Sequence, residues 1–323
     1  MKRREFVTLI GGGALAWPFA VSAQQALPVI GILHEGLPAP LPLMTAFLQG
    51  LNEGGVRQGS VKIENRWAEG QYNRLPALAV ELIDQRVNII VAAYLVAARA
   101  AEAATQTVPI IFITGSDPIA AGLVSSLNQP TGNATGIAFM FTRLMEKNLA
   151  TLHELVPNAL VIGALVNPNN SNLEPQLRDL RAAASGLGLQ IVALIARDES
   201  EIDRVFETLM QRKIQALLVT ADGFFFGLQE KLATLAARYG LPAFYPLSDY
   251  VLAGGLVSYG ASLAESWRQA GTYVARVVRG SKPSDLPIMQ PAKFELVLNT
   301  KAAKSLGLEI PPKVLALADR VVE

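Results

Sequence analysis

From Leu27 onward, short runs of β-branched and apolar residues alternate with longer stretches rich in alanine and leucine, the rhythm of strands and crossover helices in a parallel sheet. The runs predict strands over 28–33, 60–67, 87–92, 108–113, 160–166, 190–196, 216–220, 243–245 and 255–258. The stretches between them predict helices over 43–53, 75–85, 97–105, 144–155, 173–187, 199–212 and 228–239. NIIVAA (88–93) and ALLVT (216–220) are apolar at successive positions, so both of their faces need covering, as in a sheet with helices on each side. LGL (187–189) and YGLP (239–242) place glycine where a helix ends in a left-handed turn. The fold class is α/β.

The alternation comes in two similar series, one from Leu27 to about residue 141 and one from about 143 to 258. Between them, NQPTGNATGIAFM (128–140) is rich in Gly, Asn, Pro and Thr, which suits a crossing between lobes. A long helix over 263–278 is expected to return to the first series, and FELVLN (294–299) adds a further strand. The expected organisation is therefore two discontinuous lobes, 27–141 with about 261–287 and 142–260 with about 288–323.

Composition narrows what such a molecule does. The 323 residues carry a formal net charge of +1, which selects neither nucleic acid nor a membrane surface and leaves a small-molecule or protein partner. Cysteine is absent, so disulfides, thiolate metal sites and a Cys nucleophile are excluded. Only His34 and His153 are present, too few for a multi-histidine metal site, and no cofactor or metal is expected. There is no G-x-S-x-G elbow, H-E-x-x-H or Walker A loop, and no motif places a Ser and a carboxylate around His34; an enzyme is unsupported. Residues 1–23 have a basic start, an apolar middle and a small-residue end, which predicts an export signal cleaved after Ala23. Arg3 and Arg4 fit the twin-arginine variant, with the general secretory route as the alternative. The mature chain is expected as a soluble monomer in the periplasm.

Polar or aromatic residues stand just beyond the predicted strand ends: HEG with His34 and Glu35, AYL with Tyr94 and Leu95, TGSD with Gly115, Ser116 and Asp117, NPNN with Asn167, and ADG with Asp222. Open α/β sheets bind ligands outside the carboxyl ends of their strands, and two such edges facing each other form a cleft. Phe139, Tyr245 and Tyr259, near the predicted crossings, complete the candidate ligand-binding set. Each has a plainer reading: Asp117 with Pro118 and Asp222 as helix caps, Asn167 with Pro168 as a turn, Tyr245 and Tyr259 as core or hinge packing.

Several longer segments carry a resemblance: ENRWAEGQYNRLPALAVELI, GSDPIAAGLVSSLNQPTGNATG, VNPNN, AGGLVSYGASLAESWRQAG, GSKPSDLPIMQPAKFELVLN and KSLGLEIPP. With these the chain, from about Pro28 to its C-terminus, resembles the ABC-transporter substrate-binding proteins of the tryptophan and tyrosine type. The resemblance implies a type I periplasmic-binding fold: two Rossmann-like lobes, three hinge strands and a small ligand held in the cleft for a membrane permease and its ATPase. It also places Gly115, Ser116, Asp117, Asn167, Asp222 and Tyr259 at the cleft. In amino-acid binders of this fold, helix starts hold the ligand carboxylate and a carboxylate of the other lobe holds its ammonium.

This chain departs from the family pattern at the cleft. AYLV (93–96) stands where GGTP is common, HEGLPAPLPLM (34–44) has Leu and Pro in place of hydroxyls, and SDYVLAGG (248–255) lacks an Arg and a Glu at Ser248 and Leu252. A ligand more apolar than a simple amino acid is expected, an aromatic or aliphatic carboxylate among the options. The alternatives to transport are a sensory binding protein that signals to a membrane receptor and a cleft enzyme.

Overall fold

Two blocks of alternating strands and helices build two sheets. The computed structural model describes residues 27–38, 41–57, 59–170, 173–291 and 293–323, so the predicted signal lies outside the described residues. The first block runs β1 (Val29–His34), α1 (Leu41–Glu53), β2 (Lys62–Trp67), α2 (Leu75–Asp84), β3 (Ile89–Ala93), α3 (Leu95–Ala104), β4 (Ile110–Thr114) and β5 (Ala134–Ala138). Its strands are all parallel, in the order β2-β1-β3-β4-β5. In β3 and β4, IIVAA and IIFIT, every residue is buried, as expected for central strands covered on both faces.

The second block runs α4 (Met145–Leu155), β6 (Val161–Val166), α5 (Leu173–Leu187), β7 (Gln190–Ile195), α6 (Glu199–Gln211), β8 (Ala216–Val219), α7 (Gln229–Arg238), β9 (Ala243–Tyr245), α8 (Ser248–Leu252) and β10 (Val257–Gly260). After α9 (Leu263–Val278) come β11 (Glu295–Asn299), α10 (Thr300–Ser305), α11 (Pro312–Ala316) and β12 (Arg320–Val322). The second sheet has the order β12-β11-β10-β9-β8-β6-β7; its β10–β11 pair is antiparallel and its other pairs are parallel. The glycine helix stops are present: Gly188 has φ +68° and Gly240 φ +61°, and beyond the latter Leu241 N–H returns to the Ala236 carbonyl at 2.9 Å.

One prediction needs correction. Residues 128–140, expected only as a crossing, also supply the edge strand β5. Its sequence ATGIA reads as loop because it is small, and smallness is what the site demands: a Cβ on Gly136 would meet the Phe112 carbonyl oxygen at 2.0 Å. The short elements α8, α10, α11 and β12 also fall outside the prediction, since three to six residues show no clear periodicity.

The chain passes between the sheets after Ala138, after Gly260 and after Met289, the last of which bridges Ile137 of β5 before the chain enters β11. Between the second and third passages α9 returns to the first sheet and packs on α1. Ser262 caps it, its Oγ accepting from Glu265 N–H at 3.2 Å, and Trp267 is fully buried beside Phe47. Glycines let the two helices touch: a Cβ on Gly50 would lie 1.7 Å from the Arg268 carbonyl oxygen, and one on Gly271 2.1 Å from that of Phe47. Gly50→Ala is therefore expected to lower stability by about 1–3 kcal/mol despite its better helix propensity, read as a shifted denaturant midpoint. An unchanged midpoint would mean the helices slide apart freely.

Candidate functional site

The carboxyl ends of β1, β3 and β4 face those of β6 and β8. Glu35 follows β1, Tyr94 and Leu95 follow β3, Thr114–Ser116 close β4, and Phe139 follows β5; opposite them stand Asn170, Gln176, Ala221, Asp222, Gly223 and Phe226. Together they wall a cavity of about 30 Å³. That is room for a water or two, whereas a pocket for a small organic ligand needs roughly 300 Å³ or more. The two walls are drawn together: a Cβ on Gly36 would meet the Gly223 carbonyl oxygen at 2.3 Å, and one on Gly70 the Phe224 ring at 2.8 Å.

Asp222 ties this closed arrangement together. Only 2% exposed, it accepts from Asn167 Nδ2 (3.2 Å) and Phe224 N–H (3.1 Å) on Oδ1 and from Asn170 Nδ2 (2.9 Å) on Oδ2. Across the cleft, Tyr72 of the first lobe donates its hydroxyl to Asp222 Oδ2 at 2.9 Å and accepts from Phe224 N–H at 3.2 Å. Burial pushes the Tyr72 phenol well above its ordinary value, so it remains a donor. Burial also raises the pKa of Asp222, opposed by the donors from Asn167, Tyr72, Phe225 and Asn170.

Glu35 is held from several sides. The loop after β1 pairs with the loop after β2, Gly70 N–H donating to the Glu35 carbonyl at 2.9 Å and Glu69 N–H to that of Gly36 at 3.1 Å. This aims the side chain at the start of α3, where Oε1 accepts from the N–H groups of Val96 and, at 3.3 Å, Ala97. The carboxyl is 2% exposed, and burial, reinforced by the charge of Asp222, raises its pKa to about 8.

Tyr94 adopts φ +75° and ψ 174°, a region nearly reserved for glycine, while its ring packs on Phe226 of the other lobe at 5.0 Å between centroids and on His34 at 5.1 Å. Tyr94→Gly is expected to relieve about 1–3 kcal/mol of backbone strain and to lose the inter-lobe ring contact. The combined readout is a small change in melting temperature with a measurable shift towards open lobes in solution scattering; an unshifted scattering profile would show that Tyr94 does not hold the lobes together.

Of the predicted residues, Glu35, Tyr94, Leu95, Gly115, Ser116, Phe139 and Asp222 line the cavity. Asn167 stands behind it and orients Asp222. His34 lies beneath the wall, with its ring against Trp67 and Tyr94 and its Nδ1 accepting from Gly36 N–H at 2.9 Å; burial lowers its pKa to about 3. Asp117 acts as a cap, its Oδ1 accepting from Ile119 and Ala120 N–H at 3.0 and 3.2 Å. It opens a turn rather than a helix, and Gly122 closes that turn at φ +73°. Tyr245 is buried in the second lobe, stacked on Tyr250 at 4.9 Å, and Tyr259 lies under the ammonium of Lys147, 3.8 Å from its ring centre. Tyr72, Gln176 and Phe226 belong to the site or its latch and were not predicted, while Thr114, Asn170 and Gly223 lie in the predicted loops TGSD, NPNN and ADG without being singled out. Among the described residues no cluster of side chains is arranged to hold a metal ion, and no helix is long and apolar enough to cross a membrane.

Two parallel-sheet lobes, three passages between them and a cleft at the strand ends define the class: a type I periplasmic-binding fold. Residues 32–322 match the family model for ABC transporter substrate binding proteins, and the chain belongs to that family. A tyrosine-binding protein of Clostridioides difficile is 25% identical over 264 residues, 81% of this chain and 76% of that one. Among solved structures, an ABC domain from Streptococcus pneumonia in complex with L-Trp is 26% identical, with 91% of this chain and 99% of that one covered and a TM-score of 0.79. A conserved domain protein from Vibrio cholerae superposes with a TM-score of 0.80, at 25% identity and the same coverage. The ligand-free, open structure of a substrate-binding protein from Clostridium difficile, also covered over 91% of this chain, superposes with only 0.61 at 25% identity. The better fit to the L-Trp complex than to the open form agrees with the closed contacts across the cleft.

Proposed function

We propose that the chain is the solute receptor of an ABC importer: exported to the periplasm, it captures a small organic ligand by lobe closure and presents the closed shape to a permease and its ATPase, with no bond made or broken. The lobes are 27–141 with about 261–287 and 142–260 with about 288–323. The observation that carries the reading is the Tyr72–Asp222 hydrogen bond, 2.9 Å long between residues 150 apart, beside a cavity walled from both lobes. Such a latch links ligand enclosure to overall shape, which a partner in the membrane can read. Tyr94, Leu95, Phe139 and Phe226 offer an apolar wall suited to an aromatic or branched ligand body, in keeping with the L-Trp and tyrosine named for the relatives.

The test is to denature the protein purified from its native compartment, identify the released solute by mass spectrometry and add it back to ligand-free protein under small-angle scattering. An unchanged solute that contracts the molecule supports the receptor; steady conversion of the solute supports a cleft enzyme instead.

A further inference from the structure

The start of α3 is the natural seat for a ligand carboxylate in this cleft, because the unpaired N–H groups of a helix N-terminus attract anions. Here that seat is taken by the protein itself. Glu35 Oε1 receives the N–H groups of Val96 and Ala97, and the side chain is buried against Gly223 of the opposite lobe. We propose that Glu35 is a built-in carboxylate that replaces that of an amino-acid ligand, and that the solute is a small amine with an apolar body and no carboxylate, its ammonium lying between Glu35 and Asp222. This rests on the receptor reading above.

Charge argues the same way. Glu35 and Asp222 are both buried at the cavity, from opposite lobes, and among the described residues lining it there is no Lys, Arg or His. His34, just beneath, stays neutral. A ligand carboxylate would add a third buried acidic group without a counter-ion, whereas an ammonium takes the place of the proton that Glu35 holds in the closed protein and offsets the carboxylates. The cavity also suits a ligand with hydrogen-bonding groups: Thr114 and Ser116, both buried, line it and bring hydroxyl-bearing side chains to its wall. Facing Glu35 are Asp222, the Tyr72 and Tyr94 phenols, both held protonated by burial, and the neutral His34 ring. None is a cation, so in the closed protein a proton on Glu35 does what the ammonium would do.

Calorimetric titration of two matched sets tests this: tryptamine, L-tryptophan and indole-3-acetate, and phenethylamine, L-phenylalanine and phenylacetate. Wild type is expected to bind an amine at least tenfold more tightly than its matched amino acid and acid. Affinity for that amine should rise from pH 6 to pH 8 by up to about tenfold per unit as Glu35 gives up its proton. Glu35→Ala, which empties the helix start while leaving Asp222, should reverse the order in favour of the amino acid; Glu35→Gln, which keeps the volume, should weaken the amine without admitting the acid. Preference of wild type for an amino acid or acid overturns the proposal, as does an order unchanged in Glu35→Ala. Absence of binding by all six also overturns the ligand class, while the receptor reading fails if no copurified solute contracts the molecule or if the solute is steadily converted.

Discussion

Replacing Asp222 by alanine is expected to destabilise the protein by about 3–5 kcal/mol and to abolish ligand-driven closure. The side chain accepts from Asn167, Asn170, Tyr72 and the backbone N–H of Phe224, all at 3.2 Å or less. Truncation leaves these donors in a site that bulk water does not reach while the lobes are shut. Each buried donor without a partner costs about 1–3 kcal/mol, and water entering the space left behind recovers part of it. Asp222→Asn separates the two effects: it retains one acceptor oxygen and the volume, so stability should fall by only about 1–2 kcal/mol, while the added N–H₂ opposes the donors of Asn170 and Tyr72 and weakens the latch. Urea unfolding gives the first quantity and scattering the second. A loss below about 1 kcal/mol for Asp222→Ala would mean that the lobes part readily in the ligand-free protein and that the network forms only around a bound solute.

How much of this the chain announces depends on how local the cause is. β3 and β4 were legible because unbroken apolar runs leave no other solution, and Gly188 and Gly240 because a left-handed turn needs a residue without Cβ. β5 was hidden because its identity comes from contact with Phe112 rather than from its own residues. The same division runs through the site. Glu35, Tyr94, Ser116 and Asp222 were found as polar or aromatic residues at strand ends, a rule of topology. Asn167, a partner of Asp222, was found by the same rule, but the pairings themselves were not, since the bond from Val96 to Glu35 spans 61 positions and that from Tyr72 to Asp222 spans 150. Tyr72 sits in EGQYNR, where nothing but the three-dimensional closure of the lobes distinguishes it from any surface tyrosine. Asp117 differs from these: it caps Ile119 and Ala120 at short range, the plainer reading that its sequence also offered.

The second large effect is on pH dependence, and it comes from two neighbours with opposite signs. Glu35 is raised to about 8 in the closed protein from 4.5, so its contribution to stability is complete below about pH 4.5 and is lost as pH rises through about 8. His34 is lowered to about 3 from 6.5, so its contribution is present above about pH 6.5 and is lost as pH falls towards 3. Between about pH 4.5 and 6.5 the slopes cancel, each being about 1.4 kcal/mol per pH unit, and the pair yields a flat top with a fall on either side. The other buried acids near the cleft, Asp222 and Asp249, are also raised by burial from 3.8, and each adds a loss that begins as pH rises past that value, so the profile of the wild type alone does not isolate the pair. The difference between wild type and Glu35→Gln does: removing the carboxyl should abolish a loss of about 1.4 kcal/mol per pH unit between pH 4.5 and 8, making the variant relatively more stable as pH rises. His34→Gln, for its part, should flatten the acid side between about pH 6.5 and 3. Denaturant melts across about pH 3–8.5 read both. Parallel profiles for wild type and Glu35→Gln would show that Glu35 stays solvated in the free protein, and therefore that the cleft is open until a ligand arrives.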